Sequence, residues 1–464
     1  MHIYRLDDAT GQARLNRILE RHATVADPDF VRTVADIIRL VRDNGDRGLF
    51  ALTEQFDGVS LSAQNVRVEP PLLEKLAAQV PDEVRAALGT AASNIRRFHE
   101  LQREYTRVME QPDGVRLTHR VQPLEAVGLY VPGGQAAYPS TVLMTAIPAQ
   151  VAGVPRLVAV TPAKAFLTQP VLAAALVEAG VAEVYTVGGA QAIAALAYGT
   201  ESIPRVAKIV GPGNRYVTEA KRQVYGVVDV DAIAGPSEVV VIADDTADPV
   251  LVAADMLAQA EHDELAAAIC ITTSEALAGA VAEQLAYQSA TLSRRDVVTQ
   301  ALDRFGAIFL VSSPAEAVRL VNQIAPEHVE VMTAEPERLA EDITFAGAIF
   351  IGTASAEAVG DYFAGPSHVL PTGGTARFFS PLGVYDFVRR TNVIRYTMER
   401  LVKTADMIAC LADAEGLDGH ARSIRLRMER HSGPLAPKTN PLSESKQNLL
   451  AVEPPPETIP TETP

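Results

Sequence analysis

From residue 29 to about 110, apolar positions recur three and four apart, as in "FVRTVADIIRLVRDNGDRGLFALTEQF". That period predicts amphipathic helices. From 121 to 235 the pattern changes. Short apolar runs, "AVGLYV", "RLVAVT", "EVYTV" and "AKIVGPG", alternate with alanine-rich helical stretches. Such alternation predicts βα units and a mostly parallel sheet. A second α/β run follows, with "EVVVIAD", "AICITT" and "GAIFLV" as strands and 248–267 and 275–288 as helices. Further on, "EVMT" and "GAIFIG" read as strands.

The expected fold class is α/β, two open sheets flanked by helices. The expected organisation has five parts. Residues 1–26 form a short N-terminal arm, and 27–120 join 236–380 in one α/β domain. Residues 121–235 form a second α/β domain. Residues 381–435 form a helical C-terminal arm, with helices near 396–413 and 420–430 around "AEGLDGH". That hairpin is too small to bury a core alone and must pack on something else. The last 31 residues carry eight of the 30 prolines, so 436–464 is expected to be a disordered tail.

Composition narrows the function. The chain has 464 residues, is 48% hydrophobic and carries a net charge of −16. With no lysine/arginine run, a nucleic-acid or anionic-membrane partner is not expected. No apolar run is long enough to span a bilayer, and "MHIYRLDDATGQARL" lacks the apolar centre of a signal peptide. A cytoplasmic location is the expectation. Cys270 in "AAICITT" and Cys410 in "MIACLAD" lie in apolar surroundings and are expected to be buried free thiols.

Three predicted strands end in glycine turns: "VPGGQAAYPS", "VGGAQAIAAL" and "VGPGNRYVTEAK". A helix start after such a turn offers unpaired N–H groups to an anion. The usual dinucleotide fingerprint is not met. Gly211 and Gly213 fit its first two glycines, but Tyr216 stands at the third, and Asp229 and Asp231 lie only near the ribose-acid distance.

Four histidines stand in polar settings: His262 in "AEHDE", His328 in "APEHVEV", His368 in "GPSHVLPTGG" and His420 in "AEGLDGH". Gln259, Glu327, Asp361 and Glu415 accompany them. Imidazole with carboxylate suits zinc or manganese. On a helix, residues three apart lie about 60° apart around the axis, so Gln259 shares the His262 face while Glu264 points away. An ordinary solvated helix face remains the alternative. Glu327 and His328 can serve one site only if the chain bends near Pro326, because adjacent strand residues face opposite ways.

The stretch "VDVDAIAGPSEVVVIADDTADPVLVAADMLAQAEHDE", 228–264, resembles the signature of the histidinol dehydrogenase family. "IAPEHVEV", "GDYFAGPSHVLPTGGTARFFSPLGVYDF" and "LADAEGLDGHA" resemble further family motifs in the same order. The departures are mild: Val228, Ser367 and Asp413 replace the isoleucine, asparagine and glutamate frequent in the family. The likeness runs from about 30 to 430. It implies incomplete Rossmann-like sheets and two NAD-dependent oxidations, from L-histidinol through histidinaldehyde to L-histidine. It implies zinc ligands Gln259, His262, Asp361 and His420, and a catalytic pair, Glu327 and His328. Substrate contacts would come from Ser237, His368 and Glu415, with Gln259, His262, His328, Asp361 and His420 also lining the substrate. Tyr130, Gln191 and Asn214 would contact NAD. A homodimer with shared sites is implied, His420 and Glu415 completing the neighbour's site.

The chemistry is consistent with this. Neither cysteine has an obvious activating base, so a thiolate route for aldehyde oxidation is unattractive. Hydration remains, with Glu327 activating water and His328 taking the alcohol proton. A zinc hydrolase that needs no NAD is the alternative reading of the same residues, and a non-catalytic binding protein is a third.

Overall fold

A computed structural model of the chain describes residues 1–22, 27–133, 138–233 and 235–433. The expected tail at 436–464 lies outside the described residues. The chain divides into two compact units, Met1–Tyr105 with Val121–Arg390, and Thr106–Arg120 with Thr391–Pro464.

The first unit is built on two parallel sheets. One has five strands, in spatial order Glu183–Tyr185, Leu157–Val160, Val127–Tyr130, Lys208–Val210 and Asp229–Val230. The other has six, in the order Ile3–Arg5, Ala307–Leu310, Ala267–Thr272, Glu238–Ala243, His328–Met332 and Ala348–Ile351. Strand alternation decides which residues face which helix layer. In Glu238–Ala243, Val240 and Ile242 enter the core on one face, while Val239, Val241 and Ala243 enter that on the other. All five of these side chains are buried, as near-continuous apolar strands in a doubly covered parallel sheet should be.

The helices between 28 and 100 depart from expectation. They pack on the five-stranded sheet, not with 236–380. Val34, Ile37, Val41, Leu49 and Leu52 share a core with Val158, Val160 and Ile193, and Leu73, Leu76 and Ile95 share one with Leu129, Met144 and Leu172. An amphipathic pattern shows that a helix has a buried face but not which sheet covers it. The N-terminal arm is also more than a strap. Ile3–Arg5 forms the outer strand of the six-stranded sheet, and Leu15 and Ile18 of helix Ala9–Leu19 enter its core. An unanticipated helix, Arg295–Phe305, precedes Ala307–Leu310.

The second unit holds strands Arg107–Glu110 and Arg116–Pro123, paired antiparallel from Arg107 opposite His119, and helices Met398–Ala414 and Asp418–His431. It begins at about 391, not 381, because Leu382, Val384 and Phe387 are buried in the core of the five-stranded sheet. Asp113 caps the hairpin, its carbonyl accepting from Thr397 and its carboxylate pairing with Arg400 at 3.2 Å. Cys270 is buried and free as expected, but Cys410 is exposed. Its helix turns only Leu401, Ala405 and Ala409 inward, so 410 falls on the open face. Among the described residues no helix is long and apolar enough to cross a membrane.

Candidate active site and metal centre

The strands Glu238–Ala243 and His328–Met332 are neighbours, with His328 opposite Val239. Their amino-terminal ends bring Ser237, Glu238, Glu327 and His328 together. The chain does bend before this strand. Ala325 has φ +51°, the one non-glycine residue with positive φ among the described residues, and its N–H caps helix Pro314–Ile324. Holding alanine there costs roughly 1–2 kcal/mol, which the buried surroundings must offset. The result is that Glu327 and His328 are both buried, with Glu327 Oε2 3.8 Å from His328 Nδ1.

His328 is held on one side only. Its Nδ1 lies 3.2 Å from the carbonyl of Glu238 and 3.1 Å from the Gln259 side-chain amide; the carbonyl can only accept, so Nδ1–H donates there and Nε2 is left as the lone-pair nitrogen. Nε2 is buried without a hydrogen-bond partner among the described residues, 4.0 Å from Asp361 Oδ1. Burial pushes the imidazole down to about 3, reinforced by the neighbouring His262 and His368, so the ring is neutral. Glu327 moves the other way. Burial raises its carboxyl to about 8, partly countered by the N–H of Glu238, and Ser237 also hydrogen-bonds to it.

Helix Pro249–Ala260 delivers Gln259 and His262 to the same place. The helix stops at Ala260, short of the 267 expected, but Glu261 keeps αR geometry and the His262 N–H donates to the Gln259 carbonyl. The shared-face spacing therefore survives the helix end. Gln259 is fully buried. Its amide nitrogen faces the Glu238 carbonyl at 3.1 Å and Glu357 Oε2 at 3.2 Å, both acceptors only, which turns its carbonyl oxygen away from them. His262 is exposed.

Short helix Glu357–Tyr362 supplies Asp361 and, one turn earlier, Glu357. Ligand atoms of His262, Glu357 and Asp361 lie within 4.8 Å of one another. Glu357 was not anticipated, although its i, i+4 spacing to Asp361 is visible in "EAVGD". Burial and surrounding carboxylates hold it well above the usual carboxylate range, and burial raises Asp361 to about 6. Behind it, the Glu357 N–H donates to Glu330 at 2.8 Å, and Glu330 shares a second buried acid contact with Asp255. His368 closes the group, its Nδ1 3.0 Å from the Asp361 carbonyl and its Nε2 3.4 Å from Thr141 Oγ1.

The donor set fits a divalent metal. An imidazole, carboxylates and an amide oxygen are ligands for zinc or manganese. The carboxyls are pushed toward their acid forms by burial, and Glu357 also by its neighbouring carboxylates, a strain a cation relieves. The C-terminal end of helix Pro249–Ala260 also favours a positive charge.

Tyr130, Gln191 and Asn214 lie at the other sheet, at the carboxyl ends of its strands. Tyr130 ends Val127–Tyr130, is buried, and its hydroxyl accepts from the Gly189 N–H at 3.1 Å. Gln191 is buried beneath the same turn, where a Cβ on Gly189 would sit 2.6 Å from its Oε1. Asn214 caps helix Arg215–Val224, accepting from the N–H groups of Tyr216 and Val217. Asp229 and Asp231, the weak ribose candidates, are engaged elsewhere. Asp229 pairs with Lys208 at 3.0 Å, and Asp231 pairs with buried Lys221 while accepting from the Gly211 N–H at 2.7 Å. Thr141 stands in the first turn of helix Pro139–Ala152, which follows Val127–Tyr130, and its contact with His368 joins the two edges. Residues 134–137 of the first glycine turn lie outside the described residues. Glu415 and His420 belong to the second unit, at the end of one helix and in the first turn of the next, both exposed.

Comparison with known proteins gives one answer. A family model described as histidinol dehydrogenase matches residues 20–428. The histidinol dehydrogenase of Aquifex aeolicus is 50% identical over 417 residues, covering 89% of this chain and 97% of that protein. That of Geobacillus kaustophilus is 54% identical over 401 residues, covering 86% and 94%. A crystal structure of histidinol dehydrogenase from Elizabethkingia anophelis superposes with a TM-score of 0.86 at 34% identity, covering 93% of this chain and 99% of that one. On this evidence the chain belongs to the histidinol dehydrogenase family, oxidoreductases of histidine biosynthesis.

Proposed function

We propose that this site carries out both NAD-dependent oxidations from L-histidinol through L-histidinaldehyde to L-histidine, with His328 as general base and Glu327 activating water. The observation that carries the reading is the contrast between these neighbours. His328 is neutral with an unpartnered Nε2, and Glu327 is a carboxyl raised to about 8. Paired groups driven apart by burial are typical of acid–base sites.

In the first oxidation His328 Nε2 takes the hydroxyl proton of the carbinol. A ring this weakly basic accepts the proton as hydride departs, when the developing carbonyl makes that proton strongly acidic. In the second, the ionised form of Glu327, whose share grows as pH rises toward 8, takes a proton from water as it adds to the aldehyde. His328, having passed its first proton to solvent, takes the remaining hydroxyl proton of the hydrate anion as hydride leaves, and the carboxylate results. Ser237 and the Glu238 N–H orient the Glu327 carboxylate. NAD, bound at the turns around Tyr130, Gln191 and Asn214, would accept one hydride in each oxidation. Zinc, held by Gln259, His262, Asp361 and the partner subunit's His420, would fix the substrate's imidazole and amine. Glu357 accepts from the Gln259 amide nitrogen, which would leave the amide oxygen free to serve as a ligand.

His368 would contact the substrate beside Asp361, and the partner subunit's Glu415 would pair with the substrate ammonium. A homodimer with shared sites is supported by apolar residues the second unit leaves open. Ile394 and Leu411 are each 69% exposed, and Met407 is 61% exposed. A metal-dependent hydrolase would use the same cluster without NAD, and the family match leaves that reading without support.

NADH absorbance with L-histidinol and NAD tests the proposal. Steady formation that stops on chelation and returns with zinc is expected. Formation unaffected after complete metal removal would overturn the metal's part, and none in metal-loaded enzyme would overturn the substrate.

A further inference from the structure

Glu327 is clasped by the residue opposite it. The N–H of Glu238 donates to Glu327 Oε2 at 3.1 Å, and the N–H of Glu327 donates to Glu238 Oε2 at 3.2 Å. The same Glu238 oxygen also accepts from the Gly373 N–H at 3.3 Å. Its other oxygen is met by Arg21, which also donates to the Pro236 carbonyl at 3.3 Å. Arg21 arrives from the N-terminal segment, more than 200 positions away in sequence. The side chains of Arg21 and Glu238 are only 2% and 3% exposed.

We propose that Arg21 and Glu238 are positioning residues that hold Glu327 in the geometry for water activation. A buried carboxylate stays in place only with a counter-charge, and removing one partner of such a pair leaves the other uncompensated. Without the guanidinium, Glu238 loses the partner of its second oxygen and reorients. That weakens its grip on the Glu327 N–H and lets the Glu327 carboxylate swing from its place, while His328 keeps its contact with the Glu238 carbonyl. The N-terminal segment thus does two jobs: it adds a strand to the sheet edge and braces a site built from the middle of the chain.

Arg21 and Glu238 touch neither substrate nor cofactor in this scheme. Their effect passes through Glu327, and the inference rests on the proposed role of that residue. Misplacement by about 1 Å can cost on the order of 100-fold in rate. Arg21→Met, close in length but uncharged, is therefore expected to slow L-histidinaldehyde oxidation about 10- to 100-fold. Zinc content and KM for L-histidinol should stay near wild type, and the first NADH of a single turnover from histidinol should change much less. Arg21→Lys restores the charge and should recover most of the loss.

The deciding measurement is the double-mutant cycle with Glu327→Gln. If Arg21 acts through Glu327, Arg21→Met in the Glu327→Gln background should cost less than about twofold further in aldehyde oxidation. Should Arg21→Met not fold, Glu238→Gln, which keeps size and backbone, is taken through the same cycle. Additive losses, or a folded Arg21→Met enzyme with a wild-type ratio of the two steps, would overturn the brace. If Glu327→Gln alone slows both oxidations equally, it is the water-activating role that fails. Non-additivity in the cycle would then still establish the coupling.

Discussion

The two sheets of the first unit have the same construction and opposite uses of their ends. In the five-stranded sheet the candidate ligand residues stand at the carboxyl ends of the strands, around glycine turns that open helices. That is where open α/β sheets usually bind ligands, and helix N-termini there suit an anion such as a pyrophosphate. In the six-stranded sheet the proposed chemistry stands at the amino-terminal ends of Glu238–Ala243 and His328–Met332. The helix end delivered there is a C-terminus, carrying Gln259, which suits a cation. The charged groups differ in the same sense. Asp229 and Asp231 are neutralised by Lys208 and Lys221 and serve the backbone. Glu327, Glu357 and Asp361 are buried beside one another and pushed toward their acid forms. One edge is preorganised by ion-paired acids, and the other sets an unpartnered His328 Nε2 among crowded carboxyls.

The largest effect expected follows from the second edge. His328→Asn removes the lone-pair nitrogen while keeping a polar group of similar reach, and should lower kcat for both oxidations on the order of 1,000-fold. Near wild-type NADH formation would remove His328 from the chemistry. Next comes the cation site. His262→Asn should leave the protein folded but largely free of zinc by elemental analysis, and a variant with full zinc would break the contrast between the two helix ends. The first edge should respond differently. At Gly211, with φ +114°, an added Cβ would stand 2.2 Å from the Tyr130 carbonyl oxygen. Gly211→Ala should therefore cost about 3 kcal/mol of stability and raise KM for NAD while leaving zinc content unchanged. Zinc loss in that variant would show that the edges are not separable.

The smallest effect is on stability against pH. Glu327, raised to about 8, contributes stability below its unfolded value of 4.5 and loses it as pH rises through 8. His328, lowered to about 3, contributes above 6.5 and loses it as pH falls toward 3. Between 4.5 and 6.5 the two trends oppose. Above 6.5 only the carboxyl trend remains, so metal-free protein should melt at falling temperature from pH 6.5 to 8, and less so with Glu327→Gln. A flat profile in both would mean Glu327 is not held in its acid form.

Much of this was readable from the chain. Strand identities followed from short apolar runs, and Pro326 made plausible a bend that the structure places at Ala325. The spacing of Gln259 and His262 held because the turn after Ala260 continues the helical geometry. What was not readable was allegiance between distant segments. The helices from 28 to 100 advertise a buried face but not its partner, and nothing in "LERH" signals that Arg21 reaches Glu238. Glu238 and Glu330 look like ordinary strand residues because a sequence window does not reveal which acids share one interior. Glu415 and His420 had only their polar, glycine-punctuated setting, and the family likeness alone gave them roles.

The central claim is that Glu327 acts on water and His328 on the hydroxyl proton. Step-resolved turnover of Glu327→Gln tests it most directly, with L-histidinol in single turnover and L-histidinaldehyde supplied separately. The account predicts aldehyde oxidation slowed by about 100-fold or more, with the first NADH from histidinol nearly unchanged. Equal slowing of the two oxidations would contradict it.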